Sequence, residues 1–197
     1  RLAALLVGAR ARIRAPRDGV VRRVSVAGIS GSGKSTLARA LAERLGVPYV
    51  ELDALNHGPD WTEATPEELR ARVEAAFAAA PDGWVADGNY ESKLGDLVVS
   101  RADTFVWLDP PLPLALARIA RRTAVRIVRR TELWNGNRET LRNVFAKDNL
   151  LVWAVRSHRR KRRTLPSLPQ RQPHLRFVRL RSRRQVAEFL ASASPSK

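Results

Sequence analysis

The sequence predicts an α/β fold, a parallel sheet covered by helices on both faces. Three observations carry that expectation. Five short runs rich in β-branched or aromatic residues alternate with helical patterns along the chain. Four of these runs end at glycine or aspartate, as strands do where an open sheet presents its binding edge. The 197 residues contain no internal repeat and no linker long enough to divide the chain. That predicts one domain over residues 20–191, with a helical or loop extension at 1–19 and a short tail at 192–197.

In order along the chain, Val20–Ile29 is the first strand, ending in glycines. Ser35–Leu45 reads as a helix closed by Gly46 and Pro48, and Tyr49–Leu52 as a short strand ending at Asp53. Pro66–Ala80 is an Ala- and Glu-rich helix with Thr65 as N-cap and Pro66 in its first position. Trp84–Ala86 is a strand ending at Asp87-Gly88, and Thr104–Leu108 another ending at Asp109-Pro110. Long helical patterns follow over Leu112–Arg130 and from about Arg138 to Arg163. Three prolines make 164–174 a loop, before a last strand, Leu175–Leu180, and a last helix, Arg183–Leu190.

Gly28-Ile29-Ser30-Gly31-Ser32-Gly33-Lys34-Ser35 fits G-x-x-x-x-G-K-[ST] at every fixed position, with a strand before it and a helix after. Glycines let the backbone wrap closely, so that consecutive N–H groups point at phosphate oxygens. The helix that follows adds the positive end of its dipole. Lys34 reaches the terminal phosphates, and the Ser35 hydroxyl is placed to ligate Mg²⁺. The expected phosphate-binding set is Gly28, Ser30, Gly31, Ser32, Gly33, Lys34, Ser35 and Thr36. A dinucleotide site fits less well, because the spacing is not G-x-G-x-x-G. The motif points to a P-loop NTPase fold of three layers.

Two further aspartates stand at strand ends in this reading. Asp87 follows Trp84-Val85-Ala86 and is expected to support Mg²⁺, with a turn role as the alternative. Asp53 faces the acceptor: it takes a proton if the acceptor is a hydroxyl, orients substrate or metal if it is a phosphate, or only caps a helix. Asp109, followed by two prolines, reads as a turn residue.

At 100° per residue, Arg118, Arg121, Arg122, Arg126, Arg129 and Arg130 share one half of a helix surface, opposite Leu116, Ala124, Ile127 and Val128. Six like charges on one face call for an anionic partner, and arginines opposite a P-loop can neutralise a transferring phosphoryl group. Arg118 and Arg122 are the expected catalytic pair. A solvated basic face is the alternative. Arg159-Arg160-Lys161-Arg162-Arg163 is either a nucleic-acid or acidic-membrane patch or a solvated helix end. The stripe Leu141, Val144, Phe145, Leu151, Val152 and Val155 reads as core packing. His57, His158 and His174 have no metal-ligand spacing. His57 and Trp61 follow Asp53 and either touch substrate or are an exposed loop histidine and a packing indole.

Composition narrows the classes. There is no cysteine, which excludes a disulfide framework and thiolate metal sites and is compatible with the expected cytoplasmic setting. No apolar run approaches the roughly 20 residues that span a bilayer. The opening apolar stretch has its arginines after it rather than before, unlike a secretory signal. Net charge is +17, divided as −1 over residues 1–110 and +18 over 111–197. That asymmetry points to a polyanion: nucleotide phosphates, a nucleic acid or an acidic surface.

A resemblance adds to this reading. Val26 to Leu45, Val50-Glu51-Leu52-Asp53-Ala54-Leu55 with Trp61, and Trp84-Val85-Ala86-Asp87-Gly88-Asn89-Tyr90 resemble small bacterial P-loop kinases described as adenylate-kinase-like or as DNA-topology-modulation proteins. Arg101-Ala102-Asp103-Thr104, Trp107-Leu108-Asp109, Arg118 to Arg122 and Leu180-Arg181-Ser182 continue the likeness, which covers about residues 20–190. It implies a nucleoside-monophosphate-kinase-like fold with a five-stranded parallel sheet and a mobile arginine-bearing lid, about residues 118–140. It also implies that Arg181 flanks the adenine base. Adenylate kinases follow Asp-Gly with Phe-Pro-Arg where this chain has Asn89-Tyr90-Glu91, and carry Thr-Gly where it has Asp53-Ala54.

The expected function is transfer of the γ-phosphoryl of Mg-ATP to a nucleotide, nucleoside or other small hydroxyl acceptor. The alternatives are a nucleic-acid-binding protein with a regulatory nucleotide site, its footprint the basic C-terminal half, and a kinase of polynucleotide 5′-ends. In the first reading the arginine face reaches the γ-phosphate only after its segment moves, and the 159–163 tract takes no part.

Overall fold

A computed structural model of the chain describes residues 21–129, 131–137 and 150–193. The expected N-terminal extension, Arg130, lid positions 138–140, the first half of the helix expected from Arg138, the stripe side chains Leu141, Val144, Phe145 and Leu151, and the end of the tail lie outside the described residues.

Five strands form one sheet: β1 (Arg23–Gly28), β2 (Tyr49–Glu51), β3 (Trp84–Asp87), β4 (Thr104–Leu108) and β5 (Arg176–Leu180). Their spatial order is β2-β3-β1-β4-β5, and every pairing is parallel. Between and after them run α1 (Lys34–Leu45), α2 (Leu52–Asn56), α3 (Pro66–Ala78), α4 (Glu91–Leu94), α5 (Leu97–Arg101), α6 (Leu112–Val128), α7 (Leu150–Thr164), α8 (Leu168–Arg171) and α9 (Arg183–Ser192).

Parallel strands buried on both faces need apolar residues at consecutive positions, and this sheet has them. Val24, Val26, Val85, Val106, Val178 and Leu180 meet Leu37, Leu41 and Phe189 of α1 and α9. Ala27, Trp84, Phe105 and Trp107 meet Leu69, Val73 and Phe77 of α3 and Val98 of α5 on the other face. The Trp84 and Phe77 rings stack 3.9 Å apart, and Trp84 is 1% exposed. Trp84→Ala is expected to cost about 3–5 kcal/mol of unfolding free energy, because the sheet on one side and α3 on the other leave little room to collapse into the cavity. Urea denaturation monitored by circular dichroism measures it.

Helix α3 starts as its sequence predicts. The Thr65 hydroxyl accepts from the Glu68 N–H at 3.2 Å, the Glu68 carboxylate accepts from the Thr65 N–H at 2.9 Å, and Pro66 opens the helix. Other expectations need correction. Strand β2 stops at Glu51, and Asp53 stands in the first turn of α2 rather than at a strand end. The proline-bearing stretch 164–174 is not plain loop: it holds a 3-10 turn, Leu165–Ser167, and α8. Pro166 and Pro169 both fall in first-turn positions, where a missing N–H is tolerated. Asp109 is no surface turn residue. Its side chain is 1% exposed and accepts from Arg162 Nε at 3.0 Å and from Arg179 Nε at 3.0 Å, with Arg181 Nε at 4.0 Å. Two arginine partners from distant elements keep this carboxylate inside, a long-range pairing that local sequence cannot reveal.

Candidate active site

The loop after β1 is a backbone cradle. Ser32 N–H donates to Ile29 O at 3.2 Å, and α1 takes over at Gly33, whose φ is 96°. Gly31 shows why this loop needs glycine. Its φ is +72°, and a Cβ there would lie 2.4 Å from Ala115 O of α6. The Ser32 hydroxyl is buried with no hydrogen-bond partner among the described residues, an orphan that a phosphate oxygen would satisfy.

Lys34 is partly exposed along its stem, but its ammonium is enclosed by surrounding atoms. That burial is the main reason its pKa falls below the ordinary lysine value. Asp53 and Asp87 draw it back up, while Lys161 and Arg122 push it further down. The ammonium therefore sits between two carboxylates and two other cations.

At the end of β3, Asp87 Oδ2 accepts from the Ser35 hydroxyl at 2.8 Å and Oδ1 from the Tyr49 hydroxyl at 2.8 Å. Burial pushes the Asp87 carboxyl up, and the two hydrogen bonds oppose that. Ser35 and Asp87 thus present adjacent hard oxygens, which suit Mg²⁺. Two residues on, Asn89 clasps the start of the cradle, its amide donating to Gly28 O at 2.7 Å and its carbonyl oxygen 3.5 Å from Gly28 N.

Helix α6 lies across the cradle. Arg118 Nη1 is 3.5 Å from both Gly31 O and Ser32 O, and Arg122 Nη2 donates to Ser30 Oγ at 3.2 Å. The expected pair therefore lies beside the loop. The small residues Gly31 and Ala115 allow this close crossing. Of the same predicted face, Arg121 and Arg129 point to solvent. Beyond Arg118 a cleft of about 360 Å³ opens, lined among others by Thr36, Leu37, Pro110, Leu114, Arg181 and Val186. Thr36 and Arg181 thus line one cleft together with Ser32 and Gly33 of the cradle.

On the other side Asp53 Oδ1 accepts from the Tyr90 hydroxyl at 2.7 Å, and Tyr90 Oη is 3.4 Å from His57 Nε2. Burial and the neighbouring Asp53 raise the Tyr90 phenol well above its ordinary pKa, so it stays protonated and donates. His57 stacks on Trp134 at 5.8 Å and meets the edge of Trp61 at 5.6 Å. Asn137 ties the two loops, accepting from Trp61 N–H at 2.8 Å and donating to Gly58 O at 2.8 Å. His57 is therefore held between Trp61 and Trp134 beside Tyr90, and Trp134 is a residue that sequence reasoning missed.

The tract 159–163 divides. Arg159, Arg160 and Arg163 are exposed, Arg162 pairs with Asp109, and Lys161 turns inward to Glu91 at 3.0 Å. Of the tract, Lys161 alone is buried, and its charge acts on Lys34. Its signal was available: Ala154, Ser157, His158 and Lys161 are buried on α7 and repeat at helical spacing.

A family model described as ATPase family associated with various cellular activities (AAA) matches residues 24–85. Cytidylate kinase of Pyrococcus horikoshii is 28% identical over 124 residues, 57% of this chain and 62% of that protein. Shikimate kinase of Gloeobacter violaceus is 34% identical over 109 residues, 47% of this chain and 58% of that protein. This is a P-loop NTPase fold with homology to small kinases. The chain spans about 60% of the length of the curated relatives it matches. A gluconokinase from Sinorhizobium meliloti 1021 superposes with TM-score 0.51 at 22% identity, covering 87% of this chain and 89% of that one. Shikimate kinase from Acinetobacter baumannii gives TM-score 0.51 at 14% identity with the same coverage. Both support the three-layer fold. No helix among the described residues is long and apolar enough to cross a membrane.

Proposed function

We propose that the chain is an ATP-dependent phosphotransferase acting on a small acceptor. The observation that carries this reading is the convergence of Lys34, Arg118 and Arg122 on the phosphate cradle, beside the Ser35–Asp87 pair. Catalysis of phosphoryl transfer is positioning plus charge neutralisation, and these groups do both. The cradle N–H groups and Lys34 hold the β- and γ-phosphates. Arg118 and Arg122 meet charge that grows on the transferring group. Ser35 and Asp87 would hold Mg²⁺, which supplies further neutralisation of the phosphate oxygens. The cleft lined by Thr36 and Arg181 takes the nucleoside end of ATP.

The acceptor lies on the Asp53 side. Tyr90 occupies Asp53 Oδ1, and Oδ2 meets no donor among the described residues, so it is placed to accept a hydroxyl proton. That supports a hydroxyl acceptor, a nucleoside or another small alcohol, over a phosphate. The adenylate-kinase-like subtype rests on resemblance, and cytidylate kinases among the relatives keep nucleotides in the panel. The nucleic-acid readings lose support, because two of the five tract residues are engaged inside the protein.

An ATP-consumption screen over nucleosides, nucleotides, small alcohols and 5′-hydroxyl oligonucleotides tests the reading. Turnover with a small acceptor supports it; salt-sensitive oligonucleotide binding without turnover overturns it. With the working acceptor, Asp53→Asn is expected to lower kcat by about 10²-fold and leave the KM for ATP unchanged. An unaltered kcat would make Asp53 a binding residue only.

A further inference from the structure

Lys161 is an unusual member of a basic run. Its neighbours Arg159, Arg160 and Arg163 are exposed, whereas its own side chain is 3% exposed. Burying an ammonium is costly unless an anion compensates it. The counter-ion is Glu91, at 3.0 Å, and Glu91 is itself 49% exposed. A half-solvated carboxylate compensates a desolvated cation incompletely, and burial accordingly lowers the Lys161 pKa.

Position gives this imbalance a use. Glu91 opens α4 two residues after Asn89, which clasps Gly28 of the cradle. Lys161 is also close enough to Lys34 for the two charges to repel. Four cations, Lys34, Arg118, Arg122 and Lys161, thus come from three elements to one small region. They face three carboxylates, Asp53, Asp87 and Glu91, of which Asp87 is bonded to Ser35 and Tyr49.

We propose that Lys161 is a phosphate-binding residue of the transfer site, and that Glu91 is a resident counter-ion from which Lys161 passes to phosphoryl oxygens when Mg-ATP binds. This rests on the phosphotransferase reading above. In the free protein the ion pair holds α7 against the β3–α4 loop. In the complex Lys161 adds a charge from the side opposite Arg118 and Arg122. Glu91 swings to water, which its exposure permits.

The two partners then predict opposite results. Mg-ATP binding is measured by titration calorimetry, which needs no acceptor, and melting temperature in parallel. Lys161→Met is expected to weaken Mg-ATP binding by about fivefold and to lower kcat by about tenfold. Glu91→Gln is expected to tighten binding by about fivefold, because it frees the ammonium. The double variant should bind like Lys161→Met, a non-additive outcome. Lys161→Arg, which keeps the charge, should retain most of the activity and guards against a misfolded methionine variant. If both single variants weaken binding and lower the melting temperature together, the pair is a structural strut and the proposal is overturned. If Lys161→Met binds and turns over like the parent, it is overturned as well. Lys34→Ala in the same titration separates the two levels. Loss there with a normal Lys161→Met rejects only the role of Lys161, whereas no loss in either rejects the phosphotransferase reading itself.

Discussion

Lys34→Ala is expected to lower phosphoryl transfer by about 10²–10³-fold, with a melting temperature at or above that of the parent. The rate falls because the enclosed Lys34 ammonium, which interacts with both Asp53 and Asp87, holds the terminal phosphates in the proposed reading. Stability does not fall with it. Burial dominates the lowered pKa of this ammonium, so in the free protein its charge is a burden rather than a support. Its one hydrogen bond among the described residues, to Ile29 O at 3.5 Å, is too long to offset that cost. Separate fits of kcat and thermal unfolding on one preparation check both halves. An unchanged kcat removes Lys34 from the mechanism, and a marked loss of stability would show a packing role instead.

Asp87→Asn should have an effect nearly as large, and of a different kind. At magnesium concentrations that half-saturate the parent, the rate is expected to fall by about 10²-fold and to recover in part as the metal is raised. Asparagine keeps one acceptor, its carbonyl oxygen, for one of the two hydroxyls, turns an amide donor toward the other, and presents no charge to a hydrated cation. The affinity for metal-free ATP should not fall, and should rise if anything, since Asp87 repels rather than attracts the triphosphate. Magnesium titrations of initial rate measure the shift. A parental magnesium response would leave Asp87 as a support for Ser35 and Tyr49 alone.

Local patterns carried much of this architecture. Strand–loop–helix punctuation placed Gly28 to Ser35, and the Thr65–Glu68 box and Pro66 placed the start of α3, because caps and glycine turns are settled by neighbours in sequence. The 100° periodicity that grouped Arg118 with Arg122 correctly put both on one side of α6. It could not say which of the other arginines face water, because that depends on what α6 rests upon. Asp109 and Lys161 were misread for the same reason. Each is defined by a partner more than 50 residues away, Arg162 and Arg179 for one and Glu91 for the other. Short-range rules describe an aspartate before prolines as a turn and a lysine among arginines as surface, and both rules are local. Trp134 escaped notice likewise, since its contact with His57 joins two loops across the molecule.

The buried Asp109 carboxylate has a mechanical meaning beyond its pairing. Through Arg162 it grips α7, and through Arg179, whose guanidinium lies 4.2 Å over the Trp107 ring, it grips the strand that leads to Arg181. The helix bearing Lys161 and the wall bearing Arg181 are therefore fastened to a single pivot at the tip of β4. If either swings, the other is carried along, like two jaws on one pin. Exchange of spent nucleotide and exchange of acceptor would then share one opening event and one time constant, so a single relaxation rate should govern the departure of both products.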